Sequence, residues 1–279
     1  LCTAILLAPS GEADAGRPPP VVDAALAALP ADLLLHYWSN LLDLPRIVAA
    51  LEHIPQLRDP FATSEKWFVR KTGMSFPDFF SLFDRQFSLT VTGMRGNGFF
   101  PLPRLCGRLV IKDEERLREA LVALMAGKSK SSREVAGVRI NTLVLAGGLL
   151  QPSWAISDGL VHFADSPEQL EQNLVQPQAP LIETSFFRKV DVGLKEPNNM
   201  ITFVNYPRLM DGLQQLAAWG ATILAMVDQE RGGRARAGVE LFLTPLFDGM
   251  KMFEAGSSRL VATPSGLVWE SALVLAERA

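Results

Sequence analysis

The sequence predicts an α+β protein of two pseudo-repeated halves, each a twisted, mainly antiparallel sheet with helices packed on one face. Three patterns favour this class: short segments of alternating apolar residues, apolar stripes at helical spacing, and Gly or Pro between the segments. Apolar residues make up 48% of the 279 residues and charged residues 20%, a composition that provides a packed core and excludes a disordered chain. The halves are predicted at residues 30–180 and 181–279.

The first half is predicted to open with a strand at 33–39 and a helix at 44–57. Leu44, Ile47, Val48, Leu51 and Ile54 share one face of this helix, Pro45 fits its first turn, and Pro55 and Pro60 mark its end.

Four phenylalanines follow at helical spacing. Phe76, Phe79, Phe80 and Phe83 keep an i, i+3, i+4, i+7 pattern, which predicts one face of a short helix. Aromatic stripes of this kind are usually part of a core. The alternative is that these side chains contact a lipid or a partner groove.

An alternating segment at 87–92 predicts a half-buried strand, with a turn at 96–98 and a return strand at 105–112. A helix is expected after Asp113, with Glu114 and Glu115 in its first turn and an apolar face that includes Leu117 and Leu121. Residues 128–132 are expected to be a solvated loop. Strands are expected at 135–140, 143–146, 153–157 and 160–164, and Ser166 and Pro167 then begin a capped helix that ends near residue 175.

The second half is predicted to repeat this order. A strand at 200–205 leads into a helix, and strands at 223–230 and 235–244 flank a turn at 231–234; a short helix at 247–253 precedes a terminal hairpin of strands 259–262 and 267–275. Residues 266–269 (Gly-Leu-Val-Trp) match residues 159–162 (Gly-Leu-Val-His) in order and context, which favours an internal repeat.

Arg231, Arg234 and Arg236 form the strongest local cluster of charge. They are candidates for contact with phosphates or an anionic surface. The alternative is a solvated hairpin tip.

The N-terminal residues predict export. Residues 1–8 are apolar except Thr3, and Ala13-Asp14-Ala15 follows, so we expect 1–15 to be the tail of a secretory signal peptide. Residues 16–29 are expected to be a spacer, in which Arg17-Pro18-Pro19-Pro20 is stiff and exposed. The alternatives are a retained membrane anchor, a core strand or a helix fragment. Cleavage leaves Cys106 as the only thiol, which is compatible with a bacterial periplasm.

Composition excludes several classes of function. With 27 Lys and Arg against 30 Asp and Glu, the formal charge of −3 lacks the basic excess of a nucleic-acid-binding protein, and 2 Cys cannot make a disulfide scaffold. No apolar run after the N-terminus reaches the roughly 18 residues that span a bilayer.

The sequence contains no motif for catalysis, metal binding or cofactor binding. CxxC, HExxH, G-x-S-x-G and Walker A patterns are absent, so no catalytic residue, metal or cofactor is expected. Of the three histidines, His53 is predicted to be solvated, and His36 and His162 to be packed. A hydrolase built from distant residues would require a Ser, a His and a carboxylate within hydrogen-bond reach.

Several short motifs together resemble an exported bacterial family, domain of unknown function thirty-three fifty-two. They are Pro30-Ala31-Asp32, Thr72-Gly73-Met74-Ser75 with Asp78, Ile111-Lys112-Asp113, Ala136-Gly137-Val138, Ile156-Ser157-Asp158-Gly159 and Ala164-Asp165-Ser166-Pro167. The resemblance implies export or membrane attachment in bacteria and an α+β fold with a pseudo-repeat. It implies no activity and no site residues.

The function expected from the sequence is that of a non-enzymatic binding or structural protein of the bacterial envelope. Its partner would be a protein or an apolar ligand, with membrane association through the N-terminus as a further expectation. The alternative is a periplasmic carrier of a lipid or another hydrophobic ligand, which needs a continuous apolar cavity of at least a few hundred Å3. A hydrolase is the third hypothesis.

Overall fold

A computed structural model of the chain describes residues 2–7, 17–96, 101–175, 179–264 and 266–276. Strands account for much of this part of the chain. They are β1 (Cys2–Leu7), β2 (Leu35–Ser39), β3 (Phe83–Gly96), β4 (Pro101–Ile111), β5 (Lys130–Val135), β6 (Val138–Leu143), β7 (Ser153–Ser157), β8 (Leu160–Ala164), β9 (Met200–Asn205), β10 (Phe253–Thr263) and β11 (Gly266–Leu275).

Helices connect these strands. They are α1 (Leu44–Glu52), α2 (Arg58–Thr72), α3 (Phe76–Ser81), α4 (Glu114–Leu124), α5 (Pro167–Leu174), α6 (Ser185–Val190), α7 (Tyr206–Val227), α8 (Gln229–Gly238) and α9 (Thr244–Met250). A π-helical segment, Val239–Leu243, joins α8 to α9. No helix within the described ranges combines the length and the apolar character that crossing a membrane requires.

The strands form one antiparallel sheet in the order β1-β11-β10-β9-β2-β3-β4-β8-β7-β6-β5. The α+β class predicted from the sequence is therefore confirmed. The pairing of β7 with β8 was also predicted, and its two-residue turn has Asp158 and Gly159 in the left-handed region, at φ of 53° and 72°. This conformation suits the right-handed twist of a hairpin.

The chain divides into two compact units, each built from separated segments. The first unit comprises Leu1–Trp38, Leu89–Leu105 and Gln176–Ala279, and the second comprises Ser39–Ser88 and Cys106–Val175. The first unit thus takes segments from both halves predicted at 30–180 and 181–279. The internal repeat stays a prediction.

The core of the first unit draws on residues far apart in sequence. Leu33 of the N-terminal segment, Phe187 of α6 and Phe203 of β9 are all at most 1% exposed and belong to one apolar cluster. Segment 17–29, predicted as part of a spacer at 16–29, packs into this unit. Leu26 and Leu29 are buried, because apolar side chains in this segment gain more from burial than from contact with water.

The second unit has an apolar cluster on each face of its strands. Ala155 of β7 packs on the same side as Leu170 of α5, whereas the neighbouring Trp154 lies on the side of Leu117 in α4. The alternation of side chains along a strand separates these two sets. The prediction of helices on one face only is wrong for this unit, because both faces of its strands are apolar.

Residues 223–244 differ most from the prediction. The expected hairpin of strands 223–230 and 235–244 is instead the end of α7, followed by α8 and the π-helical segment. Asp228 ends one helix and caps the next, since its carboxylate accepts a hydrogen bond from the backbone N–H of Arg231 at 3.0 Å. Residues 231–234, which were predicted to form a turn, therefore lie in the first turns of α8.

Smaller differences occur in the first predicted half. The helix expected at 44–57 ends at Glu52, and α2, which was not predicted, begins at Arg58 with Pro60 in its first turn. The loop expected at 128–132 mostly belongs to β5, which pairs with β6 across a turn at Ala136 and Gly137. Asn97 and Gly98 of the predicted turn at 96–98 lie outside the described residues.

The predicted signal-peptide tail at 1–15 is described only in part. Cys2–Leu7 forms β1, which pairs antiparallel with β11, while residues 8–15 lie outside the described ranges. A strand was the alternative considered for this segment. Cleavage and export stay predictions.

Candidate functional site

The second unit contains a partly open apolar cavity of about 310 Å3. Its wall is formed by residues of α3, α4 and the strands β3, β6, β7 and β8, together with Met125 and Pro152 beside them. The wall residues are Phe79, Phe83, Leu117, Leu121, Met125, Leu143, Pro152, Ser153, Trp154, Val161, Phe163 and Ala164.

Helix α4 supplies one side of the cavity through residues spaced four apart. Leu117, Leu121 and Met125 fall on one face because four residues make slightly more than one helical turn. The helix is fixed at its start by Asp113, whose carboxylate accepts a hydrogen bond from the backbone N–H of Arg116 at 3.1 Å. Leu117 is 1% exposed and anchors this face.

Phe79 and Phe83 supply a second side. Ser75 caps α3 by accepting a hydrogen bond from the backbone N–H of Asp78, and its hydroxyl donates to the Asp78 carboxylate at 2.6 Å. The rings of Phe79 and Phe83 meet edge to face, with centroids 5.6 Å apart. Edge-to-face packing is a favourable arrangement that holds both rings in place.

The strands supply a third side of the cavity with Trp154, Val161 and Phe163. Phe163 lies across the ladder from Gly107 of β4, and a Cβ on that glycine would lie 2.2 Å from the Phe163 ring. Gly107 therefore gives the ring the space it occupies. Phe163 also stacks on Phe87, with centroids 6.4 Å apart and planes 12° apart.

The wall has no titratable side chain. Its one hydroxyl, that of Ser153, donates to the carbonyl of Gln151 at 2.9 Å and lies 2.9 Å from the hydroxyl of Thr142. The hydrogen-bonding capacity of Ser153 is thus met within the protein. The cavity can bind an apolar molecule by burial and dispersion, and its lining residues supply no nucleophile, acid or base.

The four predicted phenylalanines are brought together, but only two of them line the cavity. Phe76 and Phe80 belong instead to a ring cluster with Phe68 of α2, whose centroid lies 4.9 Å from that of Phe76. Phe83 lies at the start of β3 and not in the helix, since α3 ends at Ser81. All four rings are buried or half-buried.

The three predicted arginines lie on α8 and not at a hairpin tip. Arg231 pairs with Asp228 at 3.1 Å, and Arg234 pairs with Glu230. Arg236 lies in the last turn of the same helix and is exposed. They belong to the first unit and take no part in the cavity.

His162 is 6% exposed, on the β8 position between Val161 and Phe163. Burial lowers the pKa of its imidazole to about 4, with Arg108 lowering the pKa further and Asp158 raising it. The Ser157 hydroxyl lies 3.3 Å from Nε2, and Nδ1 is buried without a hydrogen-bond partner among the described residues. Strand alternation places this ring on the opposite face of β8 from Val161 and Phe163, two residues of the cavity wall.

His36 lies in a buried polar network in the first unit. Its Nε2 is 2.9 Å from the carboxylate of Asp23, and its Nδ1 is 2.9 Å from the hydroxyl of Thr90. A carboxylate, an imidazole and a hydroxyl in this order match the contacts that a hydrolase needs. The three residues are at most 4% exposed, so a substrate cannot reach the hydroxyl.

The described ranges hold no cluster of three or more His, Cys, Asp or Glu that could bind a metal ion. A second depression of about 790 Å3 lies along α2 between Ala62 and Ser75. Most of its lining side chains, including Lys66 and Arg70, are exposed. It differs from the apolar cavity in its lining, which includes charged side chains.

Part of the cavity wall was predicted from the sequence. The apolar faces of α3 and α4 were recognised from their spacing, but Trp154 and Leu143 were not. Trp154 is in a predicted strand, and the alternation within that strand was the available signal for its face. Which helix that face meets depends on the tertiary structure.

No protein-family model matches this chain, and no curated protein or solved structure matches it either. The resemblance to the exported bacterial family therefore rests on the sequence motifs.

Proposed function

We propose that this protein is an exported, non-enzymatic binding protein of the bacterial envelope and that the cavity of its second unit holds an apolar ligand. The observation that carries the proposal is the cavity wall, which is apolar and lacks a titratable side chain. Among the functions expected from the sequence, the cavity favours a carrier of a hydrophobic molecule over a purely structural role.

The volume of the cavity limits the size of the ligand. An apolar cavity of about 150 Å3 accepts benzene, so a cavity of about 310 Å3 has room for about ten to twelve carbon atoms. It lies at the lower end of the range for small-molecule sites. A medium-length acyl or alkyl chain, or a small fused ring, is the class of ligand that fits.

Export is the part of the proposal that depends on the sequence alone. It is supported by the apolar segment at 1–8, by the Ala-x-Ala site at 13–15 and by the family resemblance. Cleavage after Ala15 would leave Cys106, which is buried in β4, as the only thiol, and a single buried thiol is compatible with a bacterial periplasm.

We also propose an internal repeat, which relates β2–β4 to β9–β11 and not the whole of the halves 30–180 and 181–279. The strands β2, β3 and β4 follow one another on one side of the sheet order, and β9, β10 and β11 follow one another on the other side, with β2 beside β9. Both β2 and β9 lead into a helix with a side-chain cap and an early Pro, at Asp43 and Pro45 and at Asn205 and Pro207. These shared features support a strand–helix–hairpin repeat.

The ligand proposal is tested by titrating the full chain with 1-decanol in a calorimeter. Leu121→Trp fills the cavity from α4 and is expected to weaken binding at least about tenfold, because the added ring takes the volume of the chain. Val122→Trp is the matched control, since Val122 is the next residue on the helix and is 68% exposed. It is expected to bind as the wild type does.

Mass spectrometry of the natively exported protein identifies what co-purifies with it. A recurrent apolar molecule of about ten to twelve carbons supports the carrier. Failure of the wild type to bind 1-decanol, or equal binding by both tryptophan variants, would contradict a ligand in this cavity. Finding the protein only in the cytoplasm would contradict export.

A further inference from the structure

The hairpin of β6 and β7 continues past the cavity wall into an exposed tip at residues 144–151. Leu143 and Pro152, which flank the tip, are wall residues. The backbone N–H of Leu143 donates to the carbonyl of Pro152 at 3.0 Å. Leu145 and Leu150 then form a further antiparallel bridge, in which the N–H of Leu145 donates to the carbonyl of Leu150 at 2.9 Å. The ladder therefore keeps one register from the cavity wall to the tip.

This register places Leu145 and Leu150 on the face of the hairpin that lines the cavity. Side chains alternate along a strand, so residues two positions apart share a face. Leu145 lies two positions after the wall residue Leu143. Leu150 lies two positions before Pro152, and Pro152 two before Trp154, which are both wall residues. Leu145 and Leu150 are 39% and 44% exposed, so the apolar wall continues outward as an exposed pair of leucines.

A lysine lies beside the same face on the neighbouring strand. Lys130 of β5 is directly opposite Leu143 of β6 in the antiparallel ladder. Directly opposite side chains lie on the same face, with Cβ atoms about 4.5–5.5 Å apart. Lys130 is exposed, and a lysine ammonium stands on a flexible four-carbon stem. The ammonium of Lys130 can therefore reach along this face toward Leu145.

The chain around the hairpin tip is positively charged. Residues 120–132 include Lys128 and Lys130 and no other charged side chain, and residues 143–153 include none. Neither lysine forms an ion pair with another described residue. Glu134 lies at the far end of β5, opposite Arg139. Lys130 is thus a cation beside the apolar wall, with no carboxylate in the two segments that form this end of the cavity.

We propose that the ligand of the cavity is a long-chain carboxylic acid whose carboxylate lies outside the cavity, against Lys130. The inner part of the chain, about ten to twelve carbons, would occupy the cavity. The carbons that follow would lie on Leu145 and Leu150, and the ammonium of Lys130 would pair with the carboxylate. This inference rests on the proposed function, because it names the class of ligand that the cavity holds.

The sign of the charge is tested by calorimetric titration of the full chain with two amphiphiles that share one alkyl chain. Tetradecanoic acid is expected to bind. Tetradecyltrimethylammonium is expected to bind at least about tenfold more weakly, because its cation would meet Lys130 and Lys128. The difference between the two is expected to shrink at high salt, since salt screens exposed charges.

Lys130→Gln tests the residue itself. The variant is expected to bind tetradecanoic acid about threefold to fivefold more weakly, the effect of one exposed charge pair. It is expected to bind 1-decanol as the wild type does, because the alcohol has no charge and fits within the cavity. Lys71→Gln is the matched control, since Lys71 is an exposed lysine of α2 in the same unit. A lysine that only protects the sheet edge would leave the affinity for the acid unchanged.

The leucine pair is tested by the double variant Leu145→Ser with Leu150→Ser. It is expected to bind tetradecanoic acid about tenfold more weakly, because the outer carbons lose their apolar contacts. Binding of 1-decanol is expected to stay at the wild-type level, which also shows that the second unit is folded. Val122→Ser changes an exposed apolar residue of α4 and is expected to bind both ligands normally.

Three results would overturn the inference. They are equal affinity of the wild type for the acid and the cationic amphiphile, wild-type affinity of Lys130→Gln for the acid, and wild-type affinity of the double serine variant for the acid. A wild type that binds 1-decanol but not tetradecanoic acid would overturn this inference alone and leave the carrier proposal standing. A wild type that binds neither ligand would overturn both.

Discussion

His162 shows how burial sets the chemistry of a single residue in this protein. The sequence suggested a packing position, because the matching position in the proposed repeat holds Trp269. The structure places the ring at 6% exposure, with Arg108 and Asp158 as its charged neighbours. A buried imidazole beside a guanidinium is most stable when neutral, and this lowers its pKa to about 4.

The lowered pKa of His162 predicts a loss of stability in acid. The unfolded chain takes up this proton near pH 6.5 and the folded chain only near pH 4, so the stabilisation is present above pH 6.5 and is lost as the pH falls toward 4. The free energy of unfolding is expected to fall by about 2 kcal/mol between pH 7 and pH 5 through this residue. Urea denaturation at the two pH values measures the change.

His162→Leu is expected to remove that part of the pH dependence, because leucine does not titrate. His53→Gln changes an exposed histidine at the end of α1 and is expected to keep the wild-type dependence. If the leucine variant loses as much stability between pH 7 and pH 5 as the wild type, His162 does not control acid stability.

His36 marks the limit of residue-level prediction. Its position in the predicted strand at 33–39 indicated a packed side chain, and His36 is fully buried as expected. Its partners, Asp23 and Thr90, lie 13 and 54 residues away in the chain. A sequence pattern has no means of pairing residues at such separations, because the pairing depends on how distant strands come together.

At the scale of elements, the sequence predicted helix starts correctly where they depend only on neighbouring residues. Ser166 accepts a hydrogen bond from the backbone N–H of Gln169 at 3.2 Å, as its position before Pro167 predicted for the start of α5. The prediction of a turn at Arg231-Gly232-Gly233-Arg234 was wrong. Two adjacent glycines usually indicate a turn. Here Gly232 serves the close packing of α8 on α7, a tertiary requirement.

The close packing of α8 on α7 predicts opposite changes in stability when two neighbouring glycines are replaced by alanine. Gly232→Ala is expected to destabilise the protein by about 1–3 kcal/mol, because the new methyl group would overlap the backbone of Ala225. Gly233→Ala is expected to stabilise it by about 0.5–1 kcal/mol, since this helical position is open and alanine favours a helix. Thermal unfolding of the two variants measures both effects.

The pair is its own control, because both variants make the same chemical change on the same helix. Two variants of equal stability would mean that the close approach of α8 to α7 does not hold in solution. Stabilisation by both would mean that helix propensity alone governs this segment.

At the scale of the molecule, the first unit depends on contacts between distant parts of the chain. Leu29 and Leu33 precede the second unit in the sequence, yet they pack in one cluster with Phe187, Ile201 and Phe203. A boundary at residue 180 cuts through this cluster. The compact unit is therefore not a continuous stretch of sequence.

The fragment 181–279 is consequently expected not to fold alone. It keeps β9, β10 and β11 but loses the apolar partners that Leu26, Leu33 and Trp38 provide to its strands. Circular dichroism with thermal unfolding is expected to show no cooperative transition for the fragment, and a cooperative one for the full chain. A fragment with its own sharp transition would contradict this and would support an independent second half.

Sequence patterns predicted the α+β class, most strand positions, the start of α4, the capped start of α5 and the apolar faces of α3 and α4 that line part of the cavity. These follow from periodicity, caps and turn residues, which act over a few neighbouring positions. The strand order, the assembly of the cavity wall, the partners of His36 and the helical form of residues 223–244 depend on tertiary contacts. Each of these depends on which distant surfaces bury one another, and local propensity carries no information about that choice.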